Sequence, residues 1–130
     1  MKQTVSLQFD QHDILTALEA LPERDLDTLD FGVIAIDAAG LVRRYNQFES
    51  RLAGLSQSRV LGNSLFTTVA PCMNNYLVAQ RFEDATAGGT SLDTTLDYVF
   101  TLQMRPTKVK LRLLAQPNSP LRYVLVNRRP

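Results

Sequence analysis

The chain has 130 residues, which suffices for one domain with a buried core and leaves little room for a second. Hydrophobic residues make up 45% and charged residues 21%, as in a globular protein and unlike a disordered one. Fourteen basic against thirteen acidic residues give a formal net charge of +1, which argues against nucleic-acid binding as the main task.

The N-terminal residues predict a helical cap over residues 1–28, followed by the core of a single domain over residues 29–130. Asp13 is a candidate N-cap and Pro22 a stop signal for the first helix. A short helix or turn is expected over residues 25–29. The apolar residues of the first helix recur at helical spacing: Ile14, Leu15, Leu18 and Leu21.

A β-rich run over residues 31–37, a turn over 38–40 and a second run over 41–45 predict a hairpin. Residues 46–73 show no long period and predict several short helices and loops. A longer helix is expected after Asn74 or Asn75, ending at Gly88-Gly89. Its apolar stripe consists of Leu77, Val78, Phe82 and Ala85.

Three more strands are expected near residues 96–104, 108–113 and 122–128, because apolar and polar residues alternate there. The predicted fold class is therefore α+β, with a five-stranded antiparallel sheet, helices covering one face and the helical cap at the N-terminus. This order of elements is that of a PAS domain.

The chain contains one Cys and one His, and this scarcity excludes an internal disulfide and the usual structural zinc sites. Cys72 follows Pro71 just before the predicted long helix. A free Cys is often a small buried core residue, and Cys72 can also be read as a nucleophile or an attachment point. His12 lies far away in the sequence, within the cap, so the pattern offers no nearby base for an enzyme that would use Cys72.

Tyr45 and Glu49 are four residues apart across a predicted strand-to-helix junction, so a helical turn would let both face inward. Taken alone, they are ordinary strand-end and surface residues.

In several blocks, the chain from about Leu29 to Arg128 closely resembles the photoactive yellow protein family, the blue-light receptors built on a PAS fold. The matching features are Leu41 to Asn46 ending in Tyr-Asn, Glu49, Gly54, the block Val69-Ala70-Pro71-Cys72, and the run from Gln103 to Lys110.

The resemblance implies a p-coumaric acid (4-hydroxycinnamic acid) chromophore bound to Cys72 as a thioester. Tyr45 and a protonated Glu49 would donate hydrogen bonds to its phenolate. After isomerisation by light, Glu49 would give up its proton and become a buried carboxylate without a partner, which would loosen the cap. The implied pocket wall comprises Ile34, Phe66, Val69, Ala70, Pro71, Tyr98, Phe100 and Met104.

Two further pocket positions depart from the family pattern. Ala53 stands where a Thr is usual, and Leu55 stands where an Arg covers the chromophore. Arg43, Arg44 and Arg51 are candidates to supply the missing charge, whereas Arg128 reads as part of a charged C-terminal tail.

The sequence thus predicts a blue-light photoreceptor that is not an enzyme and signals to an unidentified protein. A PAS module without chromophore, sensing a small ligand or binding a protein, remains the alternative. No apolar run approaches the roughly 20 residues of a membrane span, and no signal peptide is evident. We therefore expect a cytoplasmic protein with neither membrane nor nucleic acid as partner.

Overall fold

A computed structural model describes residues 7–101 and 106–128. Within these ranges, no helix has both the length and the apolar character that crossing a bilayer requires. The helices are α1 (Ile14–Ala20), α2 (Glu23–Leu26), α3 (Gln47–Ala53), α4 (Gln57–Val60) and α5 (Ala79–Gly88). The strands are β1 (Gly32–Ile36), β2 (Val42–Tyr45), β3 (Leu92–Phe100), β4 (Thr107–Ala115) and β5 (Arg122–Asn127).

The five strands form one antiparallel sheet in the order β2-β1-β5-β4-β3. The central strand β5 brings the C-terminal part of the chain between β1 and β4, with Val126 opposite Gly32 on one side and Leu111 on the other. Strands β1 and β2 are joined by a tight turn in which Gly40 has a φ of 83°. The predicted α+β architecture with a five-stranded antiparallel sheet is confirmed.

Both faces of the sheet are covered by apolar residues, because successive side chains of a strand point to opposite sides. On one face, Ile34, Leu111 and Val124 pack with residues from the segment between β2 and β3. On the other face, Val33 and Leu125 pack with the N-terminal helices. The candidate site belongs to the first face and the N-terminal segment (residues 7–28) to the second.

Two buried arginines on the second face hold the N-terminal segment through its backbone. Arg44 of β2 donates to the carbonyl oxygens of Leu18, at 2.8 Å, and Leu21. Arg112 of β4 donates to the carbonyl oxygens of Phe9, at 2.9 Å, and Gln11, at 2.8 Å. The segment is therefore held by hydrogen bonds as well as by its apolar side chains.

Most predicted elements are present, with shifted ends. Asp13 is at the N-cap position of α1, as predicted, but it has a left-handed φ of 57° and its side chain makes no capping hydrogen bond. Asn75 accepts from the backbone N–H groups of Leu77 and Val78, and α5 ends at Gly89 with a left-handed φ of 61°. Strand β3 begins at Leu92, four residues before the predicted alternation.

Candidate functional site

The junction between β2 and α3 is organised by Asn46, which is 1% exposed. Its side-chain oxygen accepts from the backbone N–H of Glu49 at 3.1 Å and of Val33 at 3.0 Å. Its amide nitrogen donates to the carbonyl oxygens of Leu26 and Phe31, both at 3.0 Å. Asn46 thus caps α3 and connects this helix to β1 and to the end of α2.

Asn46 and Glu49 have the spacing of a capping box, in which the acidic side chain usually returns to the N-cap N–H. Here the N–H of Asn46 donates instead to the carbonyl of Val33, at 3.1 Å. The carboxylate of Glu49 is consequently available for other contacts and lies, 1% exposed, against Gly32 of β1. The capping geometry therefore positions an acidic group inside the protein.

Arg128 forms a two-pronged ion pair with Glu49. Its Nη1 donates to Oε1 at 2.6 Å and its Nη2 to Oε2 at 3.0 Å. The side chains are 14% and 2% exposed, respectively, so the pair is largely enclosed. The guanidinium also lies over the ring of Phe100, with its carbon 5.5 Å from the ring centroid. Arg128 is thus enclosed by a carboxylate and an aromatic face.

Burial controls the acidity of both inward-facing groups at this junction. Loss of water raises the pKa of Tyr45 well above its usual value; the charge of Glu49 adds to the rise, and that of Arg128 opposes it. Burial likewise raises the pKa of Glu49, and its hydrogen bonds and ion pair with Arg128 limit the rise. Tyr45 therefore keeps its proton and can donate a hydrogen bond, whereas burial and Arg128 have opposite effects on the pKa of Glu49.

Cys72 lies in a short helical turn, Pro71–Met73, and is partly buried against the apolar cluster of the first sheet face. Its carbonyl oxygen accepts from the hydroxyl of Tyr98 at 2.5 Å and from the amide of Asn75 at 3.1 Å. The same amide donates to the Tyr98 hydroxyl at 2.6 Å. The backbone of the Cys72 turn is therefore fixed to β3 and to the start of α5.

Aromatic contacts connect the thiol turn with the acidic end of the site. The rings of Tyr98 and Phe100 meet edge to face, 6.0 Å apart between centroids. Phe100 in turn lies below Arg128, which holds Glu49. A continuous series of contacts therefore extends from the turn of Cys72 to Glu49.

Most of the expected wall residues are brought together. One apolar cluster on the first sheet face contains Ile34, Tyr45, Ala70, Tyr98 and Phe100 as buried members and Leu55, Phe66, Val69 and Cys72 as partly buried ones. Pro71 is exposed, and Ala53 is buried in α3 outside this cluster. Met104 lies outside the described residues.

A cavity of about 470 Å³ is lined by the β1–β2 turn, the segment after β2 and α5. Among the predicted pocket residues it contains only Phe66; Phe82 and Arg122 are among its other lining residues. It is therefore not the Cys72 site that the sequence predicts.

The structure corrects one expectation about charge. Arg128 is not part of a solvated tail, because it is the ion-pair partner of Glu49. In this structure, ionised Glu49 therefore has a partner. Among the alternatives considered, Arg43 pairs with Asp37 and Arg44 serves the opposite sheet face.

Sequence reasoning missed the roles of Gly32, Asn46 and Arg128. A signal existed for Asn46, because an Asn three residues before a Glu at a strand-to-helix junction is an N-cap pattern. Arg128 carried no such signal, because only the pairing of β5 with β1 brings it near α3.

The donor set fits a phenolic ligand held through a thiol. The site offers a partly accessible thiol, an apolar and aromatic wall, and a buried phenol, carboxyl and guanidinium to meet a polar end group. No group of His, Cys, Asp and Glu suited to a metal ion occurs among residues 7–101 and 106–128.

Comparisons with known proteins agree with this geometry. The family model for the PAS fold matches residues 20–128. The photoactive yellow protein of Halochromatium salexigens is 38% identical over 107 residues, which cover 82% of this chain and 85% of that protein. The photoactive yellow protein of Rhodothalassium salexigens is 34% identical over 122 residues, which cover 94% of this chain and 97% of that protein.

A solved structure gives the same result. It is the photoactive yellow protein domain from the sensor histidine kinase Ppr of Rhodospirillum centenum. The match has 35% identity and a TM-score of 0.79, and it covers 86% of this chain and 97% of that domain. The chain therefore belongs to the photoactive yellow protein family, whose members are PAS-fold photoreceptors and not enzymes.

Proposed function

We propose that this protein is a cytoplasmic blue-light photoreceptor that carries p-coumaric acid as a thioester on Cys72. One observation carries the proposal: a partly accessible thiol and a buried Tyr–Glu pair belong to a single contact network on one sheet face. A thiol supplies the covalent bond, and two protonated oxygens suit the phenolate end of the ligand.

Cys72 would be loaded by acyl transfer. Its thiolate attacks the carbonyl carbon of an activated p-coumaroyl donor, the new C–S bond forms, and the donor's leaving group departs with the electron pair. Tyr98 and Asn75 hold the backbone carbonyl of Cys72 during this step, at 2.5 and 3.1 Å. The turn thereby keeps its conformation while its side chain reacts.

Tyr45 and Glu49 would hold the other end of the ligand. Burial raises the pKa of both groups, so both favour the protonated form that donates a hydrogen bond. Two such donors stabilise a phenolate that an apolar pocket would otherwise make costly.

The bound chromophore supplies absorption of blue light and isomerisation of its vinyl bond. Glu49 would then release its proton toward the phenolic oxygen, and its carboxylate would have Arg128 as its ion-pair partner. Asn46 binds both the N–H of Glu49 and the carbonyl of Leu26, and so offers a direct route from α3 to the N-terminal residues.

We propose that residues 1–28 act as the cap and residues 29–130 as the photosensory core, with loosening of the cap as the output. In the Rhodospirillum centenum relative, the corresponding domain is part of a sensor histidine kinase. A signalling protein is therefore the proposed recipient.

The test is reconstitution of the purified chain with the anhydride of p-coumaric acid. We expect a mass increase of one p-coumaroyl group and a visible band that bleaches under blue light and recovers in darkness. Absence of this band in the native protein would overturn the proposal.

Two variants identify the residues. Cys72→Ala should abolish both the mass increase and the band, and a band that persists refutes the thioester site. Glu49→Gln should keep the pigment but shift its band to the red and slow recovery. An unchanged spectrum and photocycle exclude Glu49 as a phenolate donor.

A second candidate is a PAS module that senses a small ligand without a chromophore. The cavity of about 470 Å³ favours it, because apolar residues such as Phe66 and Phe82 line it together with Arg122. The same reconstitution separates the two functions, since this module would give no light-sensitive band.

A further inference from the structure

We infer that Arg128 is the counter-ion of the site: its guanidinium neutralises the single negative charge that Glu49 and the phenolic oxygen of the ligand share. For the ligand-bound protein, the inference rests on the proposed function. For the protein without ligand, it rests on the observed ion pair alone. It assigns a specific role to a residue that the sequence pattern places in a tail.

The geometry is that of a built ion pair and not of a surface contact. The two terminal guanidinium nitrogens each donate to one carboxylate oxygen, at 2.6 and 3.0 Å, and both side chains are mostly buried. Phe100 supports the guanidinium from one side, at 5.5 Å. A charge pair enclosed in this way is screened far less by water and salt than a surface pair.

The charges facing Glu49 come from few elements. Arg128, at the end of β5, is the cation, and Tyr45 of β2 is the other titratable group, whose pKa the charge of Glu49 helps to raise. Strand β1 approaches Glu49 at Gly32, which has no side chain. Among the described residues, Arg128 is therefore the group that favours the carboxylate form of Glu49.

The carboxyl group of Glu49 and the phenolic oxygen of the ligand share one proton, so one of the two is negatively charged at any time. When Glu49 keeps the proton, the phenolic oxygen is negative; when the O–H bond of Glu49 breaks and the phenolic O–H bond forms, Glu49 is negative. In both cases Arg128 contributes one positive charge, so the net charge of the three groups stays at zero. The proton can thus move without leaving an isolated charge in the interior.

Leu55 gives this role its importance. The resemblance to the family implies an Arg at this position, and here residue 55 is an uncharged Leu. Arg43 and Arg44 have other partners, at Asp37 and at the N-terminal carbonyls. Among residues 7–101 and 106–128, Arg128 is the cation that forms an ion pair with Glu49.

The first experiment uses the full chain without ligand, and so does not depend on the proposed function. Glutamate labelled with ¹³C is titrated by infrared spectroscopy, and the Glu49 signal is assigned by its loss in Glu49→Gln. In Arg128→Gln, we expect the pKa of Glu49 to rise by about 1–3 units, the usual effect of removing a close opposite charge. Arg128→Met provides the same test if the Gln variant does not fold.

The matched control is Arg122→Gln, on the same strand. Arg122 donates to the hydroxyl of Thr86 at 2.8 Å and does not contact Glu49. It should leave the titration of Glu49 unchanged. An unchanged titration in Arg128→Gln, or an equal shift in both variants, overturns the inference.

The second experiment titrates the visible band of the reconstituted protein. If Arg128 compensates the phenolate, Arg128→Gln should raise the midpoint of acid bleaching by about 1–3 pH units relative to native protein and to Arg122→Gln. An unchanged midpoint of acid bleaching would show that Arg128 pairs with Glu49 in the protein without ligand but does not compensate the phenolate, and this would overturn its role as counter-ion. If the native chain never forms a band, the proposed function fails, and the titration of the empty chain still decides the pairing of Arg128 with Glu49.

Discussion

The carboxylate of Glu49 lies directly against the backbone of Gly32, in a space that only glycine leaves open. A β-carbon at residue 32 would lie 2.2 Å from Oε1 of Glu49 and 3.1 Å from its carboxyl carbon. Because β1 is buried and paired with strands on both sides, β2 and β5, the side chain of Glu49 and not the strand would have to move. The absence of a side chain at residue 32 is thus a requirement of the site.

Gly32→Ala should displace Glu49 from Arg128 and destabilise the protein by about 1–3 kcal/mol, the usual cost of overpacking a core. The measurement is urea unfolding of the empty chain together with the absorption spectrum after reconstitution. The matched control is Gly88→Ala, where an added β-carbon would meet Thr90 at an ordinary 3.7 Å. If the two variants behave alike, the close contact with Glu49 has no energetic consequence.

Asn46→Ala should affect the site and the N-terminal segment together. The change removes the N-cap of α3 and the amide that donates to the carbonyls of Leu26 and Phe31, of which Leu26 keeps the N–H of Leu29 as a donor. We expect a loss of about 2–4 kcal/mol in the free energy of unfolding. Faster amide exchange in residues 14–26 and in α3 should accompany this loss.

Asn63→Ala is the control for Asn46. The amide of Asn63 also donates to a carbonyl, that of Arg59 at 2.6 Å, but at the exposed surface. Its effect should stay below about 0.5 kcal/mol. Equal losses in both variants would show that burial of Asn46 is not what makes it important.

Arg44→Gln should release the N-terminal helices without altering the site. Arg44 is 7% exposed and donates to the carbonyl of Leu18 and to the hydroxyl of Tyr123, at 2.8 and 2.7 Å. Its loss should cost about 2–4 kcal/mol, because several buried acceptors lose a charged donor. Limited proteolysis should then cleave within residues 14–26 sooner than in native protein.

Arg43→Gln, one residue earlier on β2, is the matched control. Its side chain is half exposed and pairs with Asp37 at 2.8 Å. Surface pairs of this kind contribute about 0–1 kcal/mol, so little change is expected. A comparable release of the N-terminal helices in this variant would contradict the role assigned to Arg44.

The strands of the sheet could be predicted from the sequence, because apolar and polar residues alternate along a strand that has one face against a core. The sequence also identified the Gly89 cap and the buried Phe82 and Ala85 of α5, whereas Leu77 and Val78, predicted in the same stripe, lie before this helix begins at Ala79. The side chain of Asp13 makes no capping hydrogen bond, because a candidate N-cap residue does not by itself fix the local backbone. Local patterns therefore determined the elements, but not every helix end.

The candidate site was predictable only where its residues follow one another closely. Tyr45, Asn46 and Glu49 span a single junction, so their spacing was informative. Arg128 is 79 positions from Glu49, and nothing near it in the sequence indicates a partner. Only the position of β5 in the centre of the sheet brings the two together, so the ion pair is a property of the topology.

The link between Arg112 and the N-terminal segment should depend on pH through Asp93. Two hydrogen bonds at 2.8 Å join Arg112 to Asp93, and this contact holds the pKa of Asp93 below its usual range. Because the pKa of Asp93 is lower in the folded protein than in the unfolded chain, where it is near 4, ionised Asp93 stabilises the fold at pH values above about 4. This stabilisation is lost as pH falls through the pKa that Asp93 has in the folded protein. Because Asp93 is 54% exposed, we expect Asp93→Asn to cost at most about 1 kcal/mol at pH 7, with native and variant converging as pH falls through the lowered pKa of Asp93.

Amide exchange of residues 7–13 provides the structural readout of this prediction, because Arg112 also donates to the carbonyls of Phe9 and Gln11. Exchange there should be faster in Asp93→Asn than in native protein at pH 7. The control is Asp97→Asn, since Asp97 meets Lys110 at 3.7 Å on the exposed side of the same strand pair. A stability difference between native and Asp93→Asn that does not shrink on acidification would show that the interaction with Arg112 does not involve the charge of Asp93. The N-terminal segment would then be held by the backbone hydrogen bonds of Arg112 and by apolar packing alone.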